Sequence, residues 1–397
     1  MVNKQIILTV FAMLILSGCE SFFGTKTSTD FLDVPQFDNR SVAYVPIRPE
    51  ITGLNRPVDV IAGWDELIYV SDAGAGEIIS YDQAGNEQGR FSVPGLGVIA
   101  QDRRLDIIAA GTLDTVINGN PITLPALYRI DLNKTGAYGL NNASIKKVIV
   151  HPFYFKSSTP TTSDEQVEFT GITPLANNRY YVSRNGPSNS SIQFGGPDNA
   201  ILVFDEDDDY ITPISVTTEL GLFRDYFKVP QGITSLAQPP QSPAVNQRGD
   251  FLFTSIDENA ALKVQYIEFN ESEFGSSYDV RNFTTGDTSR ADGFLYEPNR
   301  FTNPRDVTIA GDGTGYIFVV DSETDSLYQF NGLGFEGANP PAGASSNKVI
   351  QVSFGGTGIG LTQFNEPSGV AYLNEIVYVA DAGNGRILRF QLTTDFD

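Results

Sequence analysis

The chain has 397 residues, 41% hydrophobic and 19% charged, with 38 glycines, 22 prolines, one cysteine and one histidine. Its formal net charge of −22 excludes an electrostatic grip on nucleic acid and adsorption to anionic lipid. A lone cysteine excludes an internal disulfide, and a lone histidine excludes multi-histidine zinc or iron centres.

Residues 1–19 read as a targeting segment. Lys4 gives a short positive start, and residues 6–16 form an apolar run too short to span a bilayer comfortably. The run ends in Leu16-Ser17-Gly18-Cys19, which resembles a bacterial lipobox. That resemblance implies cleavage before Cys19, a diacylglycerol on its sulfur and an acyl chain such as palmitate on its amine. Several chains make a stable anchor, so the expected location is the bacterial cell envelope, at the outer membrane or the periplasmic face. An ordinary signal peptide with an incidental cysteine is the alternative. Residues 19–39 are polar with scattered aromatics and read as a tether. Residues 41–47 (SVAYVPI) alternate as a strand does.

From Arg56 onward, short apolar strands come in groups, separated by turns rich in Gly, Asp and Asn. The first group opens at Arg56-Pro57-Val58-Asp59-Val60 and continues through 67–72 (LIYVSD), 77–82 and 87–93. The second covers 97–100, 105–110, 126–132 and 145–150. The third covers 169–175, 179–184, 200–205 and 210–215. The fourth covers 231–237, 249–255 and 261–269, with an outer strand within 278–283. The fifth opens at Asn303-Pro304-Arg305-Asp306-Val307 and continues through 315–321 (GYIFVVD), 326–331 and 348–354. A Gly-rich connector then ends at Glu366-Pro367, before 369–373, 376–381 (IVYVAD) and 386–392 (RILRFQL).

Residues 354–392 closely resemble an NHL repeat, one blade of a β-propeller, and weaker versions recur upstream. The resemblance implies an all-β fold over 40–397: a six-bladed β-propeller of four-stranded antiparallel blades, opening near residues 57, 97, 171, 232, 304 and 367. Five or seven blades are the alternatives, because the second and fourth groups match by strand pattern alone. The last group has three strands, and an open edge there would invite aggregation. Residues 41–47 are the spare strand, expected beside 386–392 to close the ring.

In such a ring the inner strands begin beside a central channel. Arg56, Asp59, Arg305, Asp306 and Glu366 are thereby candidates for holding a polar ligand. Asp59, Asn303, Asp306 and Asn365 are candidate oxygen donors for Ca²⁺, by analogy with propeller lactonases of related fold. The plainer reading pairs Arg56 with Asp59 and Arg305 with Asp306, bracing neighbouring blades.

The long segments 112–125, 152–168, 185–199, 221–230, 270–302 and 354–366 fall on the rim shared by the connectors and the loops between second and third strands. Its aromatics, Phe153, Tyr154, Phe155, Phe194, Tyr226 and Tyr296 with Phe223, Phe227, Phe283, Phe294 and Phe364, suit a protein, peptide or glycan partner, unless they fold inward and pin their own loops. His151, at the end of an outer strand, reads as solvent-facing or loop-packing. Asp72, Asp321 and Asp381 recur at one place and read as turn braces. Residues 205–209 (DEDDD) read as a solvated hairpin tip. The sequence points to a monomeric, lipid-anchored binding module without catalysis, with a Ca²⁺-dependent hydrolase or lactonase at the funnel as the alternative.

Overall fold

Each strand group forms an antiparallel sheet, and neighbouring sheets share an apolar face. The structure, a computed structural model, describes residues 42–134, 136–151, 162–187, 199–237, 249–273, 275–341 and 343–395. Cys19, the tether, Phe153, Tyr154, Phe155 and Phe194 lie outside the described residues.

Blade 1 consists of Pro57–Ala62, Ile68–Asp72, Glu77–Tyr81 and Glu87–Ser92. Blade 2 is Ile99–Gln101, Ile107–Ile117, Asn120–Asp131 and Ser144–Val150. Blade 3 is Glu168–Pro174, Tyr180–Asn185, Ala200–Phe204 and Tyr210–Pro213. Blade 4 is built on Pro230–Ser235, Phe251–Ser255, Val264–Ser272 and Gly275–Val280. Blade 5 is Pro304–Ile309, Ile317–Asp321, Ser326–Phe330 and Phe354–Gly355. Blade 6 is Pro367–Leu373, Ile376–Asp381, Arg386–Leu392 and, from the other end of the chain, Tyr44–Pro46.

The second strand of blades 1, 3, 4 and 5 is buried at every residue. Neighbouring blades cover both of its faces, so it reads as a continuous apolar run rather than an alternating one. Six apolar clusters fill the six blade interfaces. The cluster between blades 6 and 1 holds Ile51, Val60, Ile68, Val70, Leu373, Tyr378 and Ile387, and that between blades 5 and 6 holds Phe318, Val320, Val370, Val379 and Phe390. The other four follow in ring order. Each fully buried Val, Leu, Ile or Phe contributes about 1.5–3 kcal/mol, so no blade is stable without its two neighbours.

The ring closes as the sequence suggests. Tyr44 faces Leu392 and Pro46 faces Phe390 in an antiparallel ladder, while Ile51–Thr52 also pairs with that strand. The Tyr44 hydroxyl donates to Gln329 Oε1 of blade 5 at 2.6 Å, which ties the first strand to a second blade.

Three segments differ from the sequence reading. Residues 112–125 are not a rim loop but the paired extension of a long hairpin in blade 2. Its two-residue turn is Asn118-Gly119, both at positive φ (52° and 82°), as a type I′ hairpin turn requires. Residues 216–218 and 221–223, past the outer strand of blade 3, add to the outer edge of blade 4, the first of them in parallel with Gly275–Val280. The outer strand of blade 5 shrinks to two residues. Between the third and fourth strands of blade 5, Glu336 is buried, and it pairs with Arg300 and accepts from Gln351.

Candidate functional site: the central channel

Five of the six inner strands open with a register break: Pro57/Asp59, Phe169/Gly171, Pro230/Ile233, Pro304/Asp306 and Pro367/Gly369. A residue skipped in this way loses its ladder partner and has its side chain re-aimed. Val58, Thr170, Gln231, Arg305 and Ser368 occupy the breaks, and all five line one central cavity of about 510 Å³. Arg56, Asp59, Asp306 and Glu366 line it too, so the structure brings together the five funnel residues picked from the sequence. Asn303 also lines it. Thr170, Gln231 and Ser368 were missed. A recurring signal could have found them: each stands one residue after Pro or Phe and one before Gly.

Asp59 and Asp306 tie blade to blade. Asp59 Oδ2 accepts the Ile99 N–H of blade 2, and Asp306 Oδ2 accepts the Val370 N–H of blade 6, each at 2.8 Å. Asp306 Oδ1 takes the N–H of its own neighbour Val307. Burial disfavours the charged form and pushes Asp59 up to about 6, with its backbone donors pulling the other way. Burial also raises Asp306 well above the usual carboxylate range, and the charge of Asp59 adds to this. The preceding blade must come very close for this arrangement. A Cβ on Gly232 would lie 2.6 Å from Asp306 Cα, and one on Gly369 would lie 2.9 Å from Asp59 Cα, so only glycine fits at either place.

The repeated aspartates at the ends of second strands hold the connectors that carry residues into the channel mouth. Asp72 accepts the N–H groups of Asn55 and Arg56, both at 2.8 Å. Asp321 accepts those of Thr302 at 2.6 Å and Asn303 at 3.1 Å, and Asp381 accepts that of Asn365 at 2.7 Å. Asp321 also takes backbone N–H groups of its own turn, from Glu323 and Thr324, and Asp381 accepts the Asn384 side-chain amide of its own turn. The turn-brace reading is therefore extended: Asp321 and Asp381 hold their own turns, and all three carboxylates also fix the approach to the inner strand.

The local pairs Arg56–Asp59 and Arg305–Asp306 do not form. The charges around Arg305 are Arg56, Glu168 and Glu366. Burial lowers its pKa first and Arg56 lowers it further, while the two glutamates act in the opposite sense. Among the described residues neither guanidinium makes a hydrogen bond or an ion pair.

The donor set does not fit Ca²⁺. Both oxygens of Asp306 already accept backbone N–H groups, Asp59 Oδ2 accepts that of Ile99, and Asn365 is not part of the cavity wall. Two arginines stand where a cation would need compensating charge. Among the described residues no group of three or more His, Cys, Asp and Glu is placed to hold a metal ion.

Most of the described rim aromatics are engaged with the protein itself. The Tyr226 hydroxyl meets Gln265 and its ring packs on Phe227, while the Tyr296 hydroxyl accepts the Tyr266 N–H and its ring meets the edge of Phe283. Phe227, Phe294 and Phe364 are buried, and Phe223 stays exposed. His151 is buried, not solvent-facing, and burial followed by the charge of Arg184 brings its pKa down to about 4. The acidic turn is not wholly a solvated tip: Asp208 is buried and pairs with the buried Arg129 of blade 2, which also binds Asp102 at 2.7 Å. This clamp between blades 2 and 3 was not visible in a run of five acidic residues.

The NHL repeat family model matches residues 364–390. No curated protein matches the chain. Solved structures resemble it at low identity. An auxiliary nutrient binding protein from Bacteroides thetaiotaomicron is 11% identical, with 86% of this chain and 70% of that one covered and a TM-score of 0.49. A gluconolactonase from Xanthomonas campestris is 8% identical, with 86% and 88% covered and a TM-score of 0.48. Virginiamycin B lyase from Staphylococcus aureus is 13% identical, with 88% and 99% covered and a TM-score of 0.44. The chain is a six-bladed β-propeller with an NHL repeat in its closing blade.

Proposed function

We propose that this propeller is a binding module for a small polar ligand held in its central channel, displayed at the cell envelope by a lipid on Cys19. The observation that carries the proposal is the set of register breaks. Five blades each give up a ladder position and set a residue in the wall of one cavity; Thr170 and Ser368 there donate to carbonyls of the next blade and brace the wall, while the Arg305 side chain is left for a ligand. The long-loop rim has less support, because most of its described rings are buried or bonded to the blades beneath them. A Ca²⁺-dependent hydrolase has less support for the reasons of donor chemistry given above.

Thermal-shift screening of small polar metabolites tests the proposal, with Val58→Trp as the plug for the channel. At least one chemical class should raise the melting temperature of the parent and lose that effect in Val58→Trp. The proposal fails if no class shifts the parent, or if the plugged variant responds equally. For the anchor, Cys19→Ser should release the protein from the membrane fraction of a bacterial host; unchanged fractionation would remove the lipid.

A further inference from the structure

We infer that the channel mouth is a subsite for an oxyanion, a carboxylate or phosphate group of the ligand, gripped by Arg305 with Arg56. This rests on the channel being the binding site and names the chemistry of its ligand.

Arg305 is the residue skipped at the break between Pro304 and Asp306, so its direction is set by backbone geometry. It is half-buried in the cavity wall, and burial already opposes its charge. A second positive charge, Arg56, adds to the penalty. Proteins keep a desolvated guanidinium when a counter-charge compensates it. Here none is in contact: Glu366 and Glu168 act on Arg305 through space, and both oxygens of the adjacent Asp306 are taken by backbone donors. The missing partner is therefore a group that arrives with the ligand.

The two planar forks match the paired oxygens of a carboxylate or phosphate. Arg56 is held ready for this. Its own N–H and that of Asn55 are bound by the fixed carboxylate of Asp72, so its backbone is not free to swing away. Glu366 and Glu323 stand at the same mouth without pairing with either arginine, and they accept hydrogen bonds from O–H or N–H groups on the rest of the ligand. The chain as a whole is strongly acidic, and that charge repels anions at long range. The preference is thus local, set by two side chains.

Isothermal titration of the full chain tests this with three sets of probes: malonate and citrate, inorganic phosphate and glycerol 3-phosphate, and the neutral polyol glycerol. At least one anionic set should bind, with Arg305→Gln weakening it tenfold or more and Arg305→Lys recovering part of the loss. Which set binds tells carboxylate from phosphate. In the absence of ligand, Arg305→Gln should melt no lower than the parent, because it removes an uncompensated charge. Binding of glycerol but of neither anionic set overturns the oxyanion assignment and leaves the channel reading standing. Anion binding unchanged in Arg305→Gln also overturns the assignment. Silence from all three sets, together with a metabolite screen that Val58→Trp does not alter, overturns the channel reading itself.

Discussion

Blades 6 and 4 solve the same problem with different chemistry. In blade 6 the second strand ends in Asp381, whose buried carboxylate accepts the connector N–H of Asn365 and pairs with Arg386 Nε at 2.7 Å. Arg386 in turn donates to the carbonyls of Ile359, Gly360 and Gln363, which gives the Gly-rich connector a fixed path. In blade 4 the second strand ends in Ser255. Its hydroxyl donates to the carbonyl of Lys228, so the connector is held through an acceptor rather than a donor. A charged carboxylate organises several donors at once, whereas a hydroxyl organises one or two. Blade 6 also takes its outer strand from the far end of the chain, while blade 4 gains extra edge strands from the segment before it. The repeat pattern is recognisable where a carboxylate holds the connector, and it fades where a hydroxyl takes its place.

The strand from the far end of the chain gives the largest expected effect. Deleting residues 42–47 removes the buried Tyr44 ring, worth about 3–5 kcal/mol by analogy with large aromatic truncations, and ladder bonds worth about 1 kcal/mol each. The urea midpoint should fall steeply. An unchanged midpoint would mean that the ring holds without this closure.

Next in size is the contrast between the two connectors. Asp381→Ala should cost about 3 kcal/mol, because it removes the buried counter-charge of Arg386 and leaves that guanidinium the partly exposed Glu50 at 2.9 Å. Ser255→Ala should cost about 1 kcal/mol. Chemical denaturation of the two variants side by side measures the difference. Equal losses would show that charge is not what separates the blades.

The smallest expected effect concerns the bridges between blades. The folded protein holds the Asp59 proton up to about pH 6, above the unfolded value near 3.8. Stability from this group is complete below the unfolded value and is lost as pH rises through about 6. The loss is at most about 3 kcal/mol, since each tenfold change in proton affinity is worth about 1.4 kcal/mol. Asp306 acts with the same sign. Asp59→Asn should flatten the decline in unfolding free energy between pH 4 and 7, and a slope like that of the parent would refute the buried proton.

Blades 1, 5 and 6 were legible in the sequence because each carries an apolar second strand ending in Asp72, Asp321 or Asp381. Ring closure was legible from counting strands. The hairpin of blade 2 left its signal in Asn118-Gly119 between alternating runs, yet the polar residues Thr112, Asp114 and Thr115 made the stretch look like a loop. Residues 216–223 left none, since the second of its two three-residue strands, Gly221–Phe223, is exposed throughout and has no periodicity to show. Within the channel, Arg56, Asp59, Arg305, Asp306 and Glu366 could be picked out by charge. Their partners could not, because a carboxylate reaching forward to Ile99 or Val370 depends on how far one blade rotates from the next.

A crystal structure of the protein grown with the tightest-binding oxyanion from the titration tests the central claim most directly. The anion is expected in the channel mouth, with guanidinium nitrogens of both Arg305 and Arg56 within hydrogen-bonding distance of its oxygens. Water alone in the channel, with the anion bound on the outer rim or nowhere, would contradict it.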